Sequence, residues 1–155
     1  MTKNLYFYET PVGKIGLADN GRAITDLFFG EDSPLTEYII NETELLKSAY
    51  KQLMEYFSGS RKIFDLSLAF EGTSFQQKVW KALLTIPYGH VRSYKDIAKQ
   101  TGNEKACRAV GMANNRNPIG IIIPCHRVIG SDGKLVGYGG GLDIKRYLLQ
   151  LEGVL

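Results

Sequence analysis

A run of branched aliphatic residues, Ile119-Gly120-Ile121-Ile122-Ile123, ends at Pro124 and is followed at once by Cys125, His126 and Arg127. No other segment restricts the fold as much. The run reads as strand-like and apolar, and it delivers a thiol, an imidazole and a guanidinium to the point where it stops. A free cysteine is most often a small buried hydrophobe. An adjacent His-Arg pair, however, is expensive to bury without purpose, and it is the electropositive setting that lowers a thiol's pKa. Cys125 is therefore the candidate nucleophile. Consecutive side chains of an extended chain point to opposite faces, so Cys125 and His126 need a bend or a bridging water to exchange a proton. A histidine base also wants an orienting carboxylate on its other nitrogen. Beyond Gly72 the acids are Asp96, Glu104, Asp132, Asp143 and Glu152. Spacing does not choose among them. Glu152, at the end of the closing helix, opposes the helix dipole, and that placement invites a functional reason.

At 155 residues the chain can bury a core without metal or disulfide staples. Cys107, Cys125 and the two histidines are too scattered for a disulfide framework or a zinc site. Cys107 reads as buried packing beside Arg108. The longest uninterrupted aliphatic run is three residues, against the roughly 20 that a membrane helix needs. The start of the sequence has neither an apolar signal segment nor an acylation motif, so a cytoplasmic location without a membrane partner is expected.

Residues 1–72 read as a small α/β domain of antiparallel strands plus a helix. Leu5–Tyr8, Ile15–Ala18 and Ala23–Phe29 are strand-like, and Asn20-Gly21 is a hairpin signal. A helix follows, opened by Asn41-x-x-Glu44, carried by Leu45, Leu46, Ala49, Tyr50, Leu53 and Phe57, and closed at Gly59. Lys62–Leu66 reads as one more strand. Residues 73–155 read as mostly helical. Ser74-x-x-Gln77 opens one helix, and Ser93-x-x-Asp96 caps a short second one over Tyr94–Gln100. Asn103 caps a third from Glu104 to about Asn114, and the last runs from Leu142 to Glu152. The middle two, joined by a tight Gly-Asn turn, have the sequence form of a helix-turn-helix.

Charge divides the same way. Residues 1–72 carry seven basic against eleven acidic side chains, and residues 73–155 carry twelve against five. Between Arg92 and Arg116 there are six basic residues and two acidic ones. The second half is thus suited to an anionic partner, and with the helix pair that partner is DNA. The glycine tract Gly137–Gly141 lacks the surroundings of a phosphate loop and reads as a flexible wall around a site.

Pro124-Cys125-His126-Arg127-Val128, with Ser93-Tyr94, Ala106–Gly111, Asn117-Pro118, Gly137-Tyr138, Gly140–Leu142 and Leu148–Gly153, closely resembles the O6-alkylguanine-DNA alkyltransferases. The match covers about residues 74–153, and the first domain agrees only in general layout. The resemblance implies that Cys125 accepts the alkyl group, activated through a water by His126, which Glu152 orients. It implies that Arg108 enters the duplex where the guanine has flipped out, and that Tyr94 helps turn the nucleotide and hydrogen-bonds the base. Asn117 would brace the active-site turn, Tyr138 would form the pocket wall, and the backbone of Cys125 and Val128 would read the guanine amino group. Ser93, Gly139 and Lys145 join the DNA- and substrate-binding set. At Gly139, where some relatives carry serine, only a backbone amide could meet the lesion oxygen. The helix pair would dock in the minor groove. Double-stranded DNA carrying O6-alkylguanine is the implied partner of a monomer, with single-stranded DNA also bound and O4-alkylthymine left open. Transfer would be irreversible, so each molecule would act once. No cofactor is implied, and zinc is not expected because residues 1–72 contain no Cys or His.

Two other readings compete. A DNA-binding regulator would use the helix pair and be indifferent to Cys125, which the Cys-His-Arg-Val string argues against. A cysteine hydrolase would need a nucleophile at a helix N-terminus and an oxyanion site, and neither is evident.

Overall fold

Aromatic residues at Tyr6, Phe7 and Tyr8 favour a pleated strand, and Lys3–Thr10 (β1) pairs antiparallel with Gly13–Asp19 (β2), Leu5 opposite Ala18. The computed structural model describes residues 2–155 and divides into two compact units, one ending at Phe70 and the other running Glu71–Leu155. In the first, Ile24–Phe29 (β3) pairs antiparallel with β2, after a turn in which the Asn20 side chain accepts from the amides of Arg22 and Ala23. A short edge strand, Tyr38–Ile40 (β4), pairs parallel with β1, so the sheet order is β3-β2-β1-β4 and the sheet is mixed rather than wholly antiparallel. Three exposed residues without a flanking turn signal gave no sequence warning of it.

Helix α1 (Glu44–Phe57) buries Leu46, Ala49, Leu53, Tyr56 and Phe57 at helical spacing. Its N-cap is Thr43, not Asn41, because the Asn41 amide is taken by the Leu5 carbonyl at the sheet edge. At the other end Gly59 has φ +85°, the left-handed conformation that glycine reaches without penalty. Lys62–Leu66 is not a strand. The Gln52 side chain binds both the amide and the carbonyl of Asp65, taking the place of a ladder partner, and Ile63 is 80% exposed.

In the second unit, α2 (Ser74–Leu83) starts one residue earlier than the sequence suggests, with a capping box between Thr73 and Gln76. Helix α3 (Tyr94–Gln100) has the expected Ser93–Asp96 capping box. Helix α4 (Cys107–Asn115) begins later than Glu104, because the Asn103 side chain and carbonyl close a separate turn on Lys105 and Ala106. Helices α3 and α4 pack on each other and on α2 as a helix-turn-helix. Trp80 of α2, 2% exposed, donates its indole N–H to the Ala113 carbonyl at 2.8 Å and so fixes α4. Two-residue strands Arg92–Ser93 (β5) and Val128–Ile129 (β6) pair in parallel and bring the start of α3 beside the cysteine segment. Helix α5 (Leu142–Leu151) closes the unit. Among the described residues no helix is long and apolar enough to cross a membrane.

Replacing Trp80 by Phe removes the indole donor and leaves a void where part of the bicyclic ring stood, while the Ala113 carbonyl keeps only its bond from the Arg116 amide. Urea unfolding should register a loss of about 1–3 kcal/mol.

Candidate active site

The segment from Asn117 to Pro124 is buried from Ile119 onward but is not a strand. Asn117 accepts from the Ile119 amide at 3.0 Å and donates Nδ2 to the Ile123 carbonyl at 2.7 Å, which folds the isoleucines into a closed loop. Ile121, 1% exposed, sits at φ +67°. A β-branched residue there is strained by about 1–3 kcal/mol and holds only where its surroundings over-determine it. The loop ends in a 3-10 turn, Cys125–Arg127, closed by the Arg127 amide on the Pro124 carbonyl at 3.0 Å.

That turn replaces the extended geometry expected of Cys125 and His126, and it aims His126 and Arg127 at the end of α5. His126 Nε2 lies 2.6 Å from Glu152 Oε2. Arg127 donates Nε to Oε1 at 2.8 Å and Nη2 to Oε2 at 3.1 Å, and gives Nη1 to the Ile86 carbonyl at 2.7 Å. The Gly89 amide adds a further bond to Glu152 Oε1 at 3.1 Å. Of the five acids open in sequence, Glu152 is the one placed on His126.

These contacts overturn one expectation. His126 and Arg127 are turned toward Glu152, so they do not provide the electropositive setting that would lower the thiol's pKa. Burial pushes the Cys125 thiol up to about 11, against the opposing effects of the Asn117 side chain, the Lys145 ammonium and the Tyr138 hydroxyl. Burial also holds His126 below the ordinary imidazole value, although Glu152 pulls the other way. The imidazole is therefore neutral, its Nε2 proton committed to the carboxylate, and buried Nδ1 is left as the acceptor.

Lys145 is fully buried rather than presented to a partner. Its ammonium donates to the carbonyls of Val128 at 2.6 Å and Val136 at 2.9 Å, which ties α5 to β6 and to the glycine-rich segment. Burial lowers its pKa to about 8. The Tyr94 hydroxyl donates to the same Val136 carbonyl at 3.0 Å. Gly137 next to it has φ +56°, and a Cβ there would meet Asn115 Oδ1 at 3.3 Å and the Tyr94 hydroxyl at 3.5 Å. Gly139 is exposed, and a Cβ would make only an ordinary contact with the Asn115 carbonyl at 3.6 Å. Ser93 uses its hydroxyl to cap α3. Arg108 lies exposed on α4. Cys107 is half-buried, not the buried filler expected, with Sγ 3.6 Å from the Glu104 carbonyl.

Sequence reading missed Asn114. It is 2% exposed and donates Nδ2 to the Cys125 carbonyl at 3.3 Å. Its signal was a polar residue in phase with Val110 and Ala113 on the buried stripe of α4.

The second unit thus holds a buried thiol, a neutral imidazole and an orienting carboxylate beneath a helix-turn-helix. Residues 74–154 match the family model of the 6-O-methylguanine DNA methyltransferase DNA binding domain, and residues 5–70 match that of the same family's ribonuclease-like domain. The likeness therefore extends over the first unit, beyond general layout. The methylated-DNA–protein-cysteine methyltransferase of Methanosarcina barkeri is 55% identical over 147 residues, 93% of each chain. That of Mycobacterium tuberculosis is 51% identical over 93% of this chain and 88% of its own length. The crystal structure of Mycobacterium tuberculosis OGT in complex with DNA superposes with a TM-score of 0.91 at 50% identity, covering 96% of this chain and 92% of that one. The chain belongs to the 6-O-methylguanine DNA methyltransferase family and is a methylated-DNA–protein-cysteine methyltransferase, a DNA-repair enzyme acting by alkyl transfer.

Glu152→Gln leaves the buried Arg127 guanidinium without its counter-ion. Chemical denaturation should show a loss of about 3–5 kcal/mol.

Proposed function

We propose that this chain takes the alkyl group from O6 of guanine in DNA onto Cys125, irreversibly and once per molecule. The observation that carries this reading is the buried Glu152–His126 pair reaching the cysteine turn beneath α4. Nδ1 of His126 receives the thiol proton through a water. Sulfur bonds the alkyl carbon as the carbon–O6 bond breaks, and the electron pair stays on guanine. That leaving group needs a hydrogen bond or proton on its ring, which Tyr94 supplies once its hydroxyl leaves Val136. The carbonyls of Cys125 and Val128 read the guanine amino group, Tyr138 walls the base, and the amide of Gly139 meets the lesion oxygen. Asn117 holds the turn. Ser93 and Lys145 contribute as the cap of α3 and the tie of the wall.

A base inside the duplex is out of reach, so the guanine is flipped, at a cost of a few kcal/mol that is least for a damaged pair. Arg108 fills the gap in the stack while the helix pair docks in the minor groove. Lys95, Lys99, Lys105 and Arg116, all exposed, supply the electrostatic approach to phosphates. The protein acts as a cytoplasmic monomer on double-stranded and single-stranded DNA, and O4-alkylthymine offers a comparable alkyl–oxygen bond.

Intact mass after mixing with a duplex carrying one O6-methylguanine should rise by a single methyl group, mapped to the peptide holding Cys125. Cys125→Ser should bind the duplex and gain nothing; unchanged mass in the parent chain would refute the reading. The transfer rate should hold as pH falls to 6.5, the ordinary imidazole value, and drop only below it. The sign follows from the depressed folded-state pKa: below 6.5 the unfolded chain binds the proton first, so stability falls from there, and the folded chain's neutral base is lost only at its own lower value.

A further inference from the structure

We propose that Met112 is a duplex-selective contact, an apolar side chain that packs on deoxyribose and base edges of the minor groove one helical turn from Arg108. The inference rests on the docking of α4 read above and assigns a further side chain of that helix to it.

Met112 is 59% exposed, more than any other large apolar residue of the second unit. Val110 and Ala113 form the buried side of α4, so the packing of the fold makes little use of the methionine. Its neighbours Ala109, Gly111 and Ala113 are small, and it is the one long apolar side chain on the exposed side of the helix.

A single exposed apolar residue is ordinary. This one is set apart by its row. Arg108, Met112 and Arg116, the last at the C-cap of α4, follow at i, i+4 and i+8, which puts them on one face over about 12 Å. All three are exposed, and no acidic residue occurs between Glu104 and Asp132. The row is therefore cation, apolar, cation. Its complement is anionic at two edges, less polar between them, and narrow. The minor groove of duplex DNA has that form, about 6 Å wide and bordered by phosphates with sugar and base edges between. Methionine suits such a place, because an unbranched thioether adapts to an irregular surface. Minor-groove proteins use it among the apolar wedges that they set at base steps. With Arg108 in the gap left by the flipped base, Met112 covers the adjoining step and excludes water from it, while Arg116 meets a phosphate one turn further on. A single strand has no groove, so this contact is made on duplex alone.

Binding measurements on duplex and single strand test the assignment. Met112→Ala keeps the helix, since alanine is its best former. Its affinity for an O6-methylguanine duplex should fall about five- to tenfold, as expected when the burial of one methionine side chain is lost. The slope of log K against log salt should stay at the parent value, because no phosphate contact goes with the methionine. Arg116→Ala should reduce that slope by about 0.9. On a single strand of the same sequence, Met112→Ala should bind as the parent does. Met112→Leu, which keeps the apolar bulk, should bind duplex within about twofold of the parent. Parental duplex affinity in Met112→Ala, an equal loss on single strand, or Met112→Leu as weak as Met112→Ala would overturn the proposal. A changed slope in Met112→Ala or an unchanged one in Arg116→Ala would overturn it too. Failure of the parent chain to bind duplex removes the docking reading itself. A parent that binds and accepts a methyl group, matched by Met112→Ala, removes only this inference.

Discussion

Glu152 receives hydrogen bonds from the Gly89 amide, from His126 and twice from Arg127, in a place where no part of its side chain meets solvent. Taking a carboxylate and a guanidinium out of water costs several kcal/mol each, and their attraction does little more than offset it. The pair is therefore a device of geometry more than of stability. It welds the last turn of α5 to the Cys125 turn and to the loop ahead of β5. It also settles which imidazole nitrogen bears the proton. A carboxylate that lacked Arg127 would draw a proton onto His126 more strongly, and the histidine would lose its basic nitrogen. Burial is the main reason the imidazole stays neutral, and the Arg127 guanidinium adds to it.

The same logic runs outward. Lys145 satisfies two carbonyls at the rim with one ammonium, and Tyr94 shares one of them, so the Val136 carbonyl is a junction between α3, α5 and the glycine-rich segment. Gly137 lets the chain pass that junction with its backbone close to Tyr94 and Asn115. The wall of the site is thus polar in its fastenings, while Ile119, Ile121, Ile122 and Ile123 fill the space beneath it.

How far the sequence speaks depends on how local the cause is. The Ser93–Asp96 capping box, the Asn20-Gly21 turn and the periodicity of α1 are local, and each is where the residues put it. The errors arise where a long-range partner outbids the local signal. Asn41 lost its capping role to the Leu5 carbonyl, and Lys62–Leu66 lost its ladder to Gln52. The isoleucine run was apolar enough for a strand, but the two bonds of Asn117 curled it into a loop. In the site, Cys125 and His126 were legible as residues, whereas spacing left Glu152 as one of five acids and only the resemblance singled it out. What could not be read was direction. A Cys-His-Arg sequence says nothing about which way the turn aims its side chains, and here the cations face away from sulfur.

That direction matters for the chemistry. Lowering a thiol's pKa enlarges its thiolate fraction but weakens the thiolate it yields, because nucleophilicity falls with basicity. A thiol at about 11 lies at the other end of this exchange. At rest it stays protonated and 5% exposed, a poor target for stray alkylating agents. When its proton leaves, the sulfur is a strong nucleophile, shielded from the water that would otherwise weaken it. On the transfer reading such a site suits a protein that reacts once. It requires a neutral base held close by, and burial keeps His126 in that state, with the Arg127 guanidinium offsetting part of the pull of Glu152.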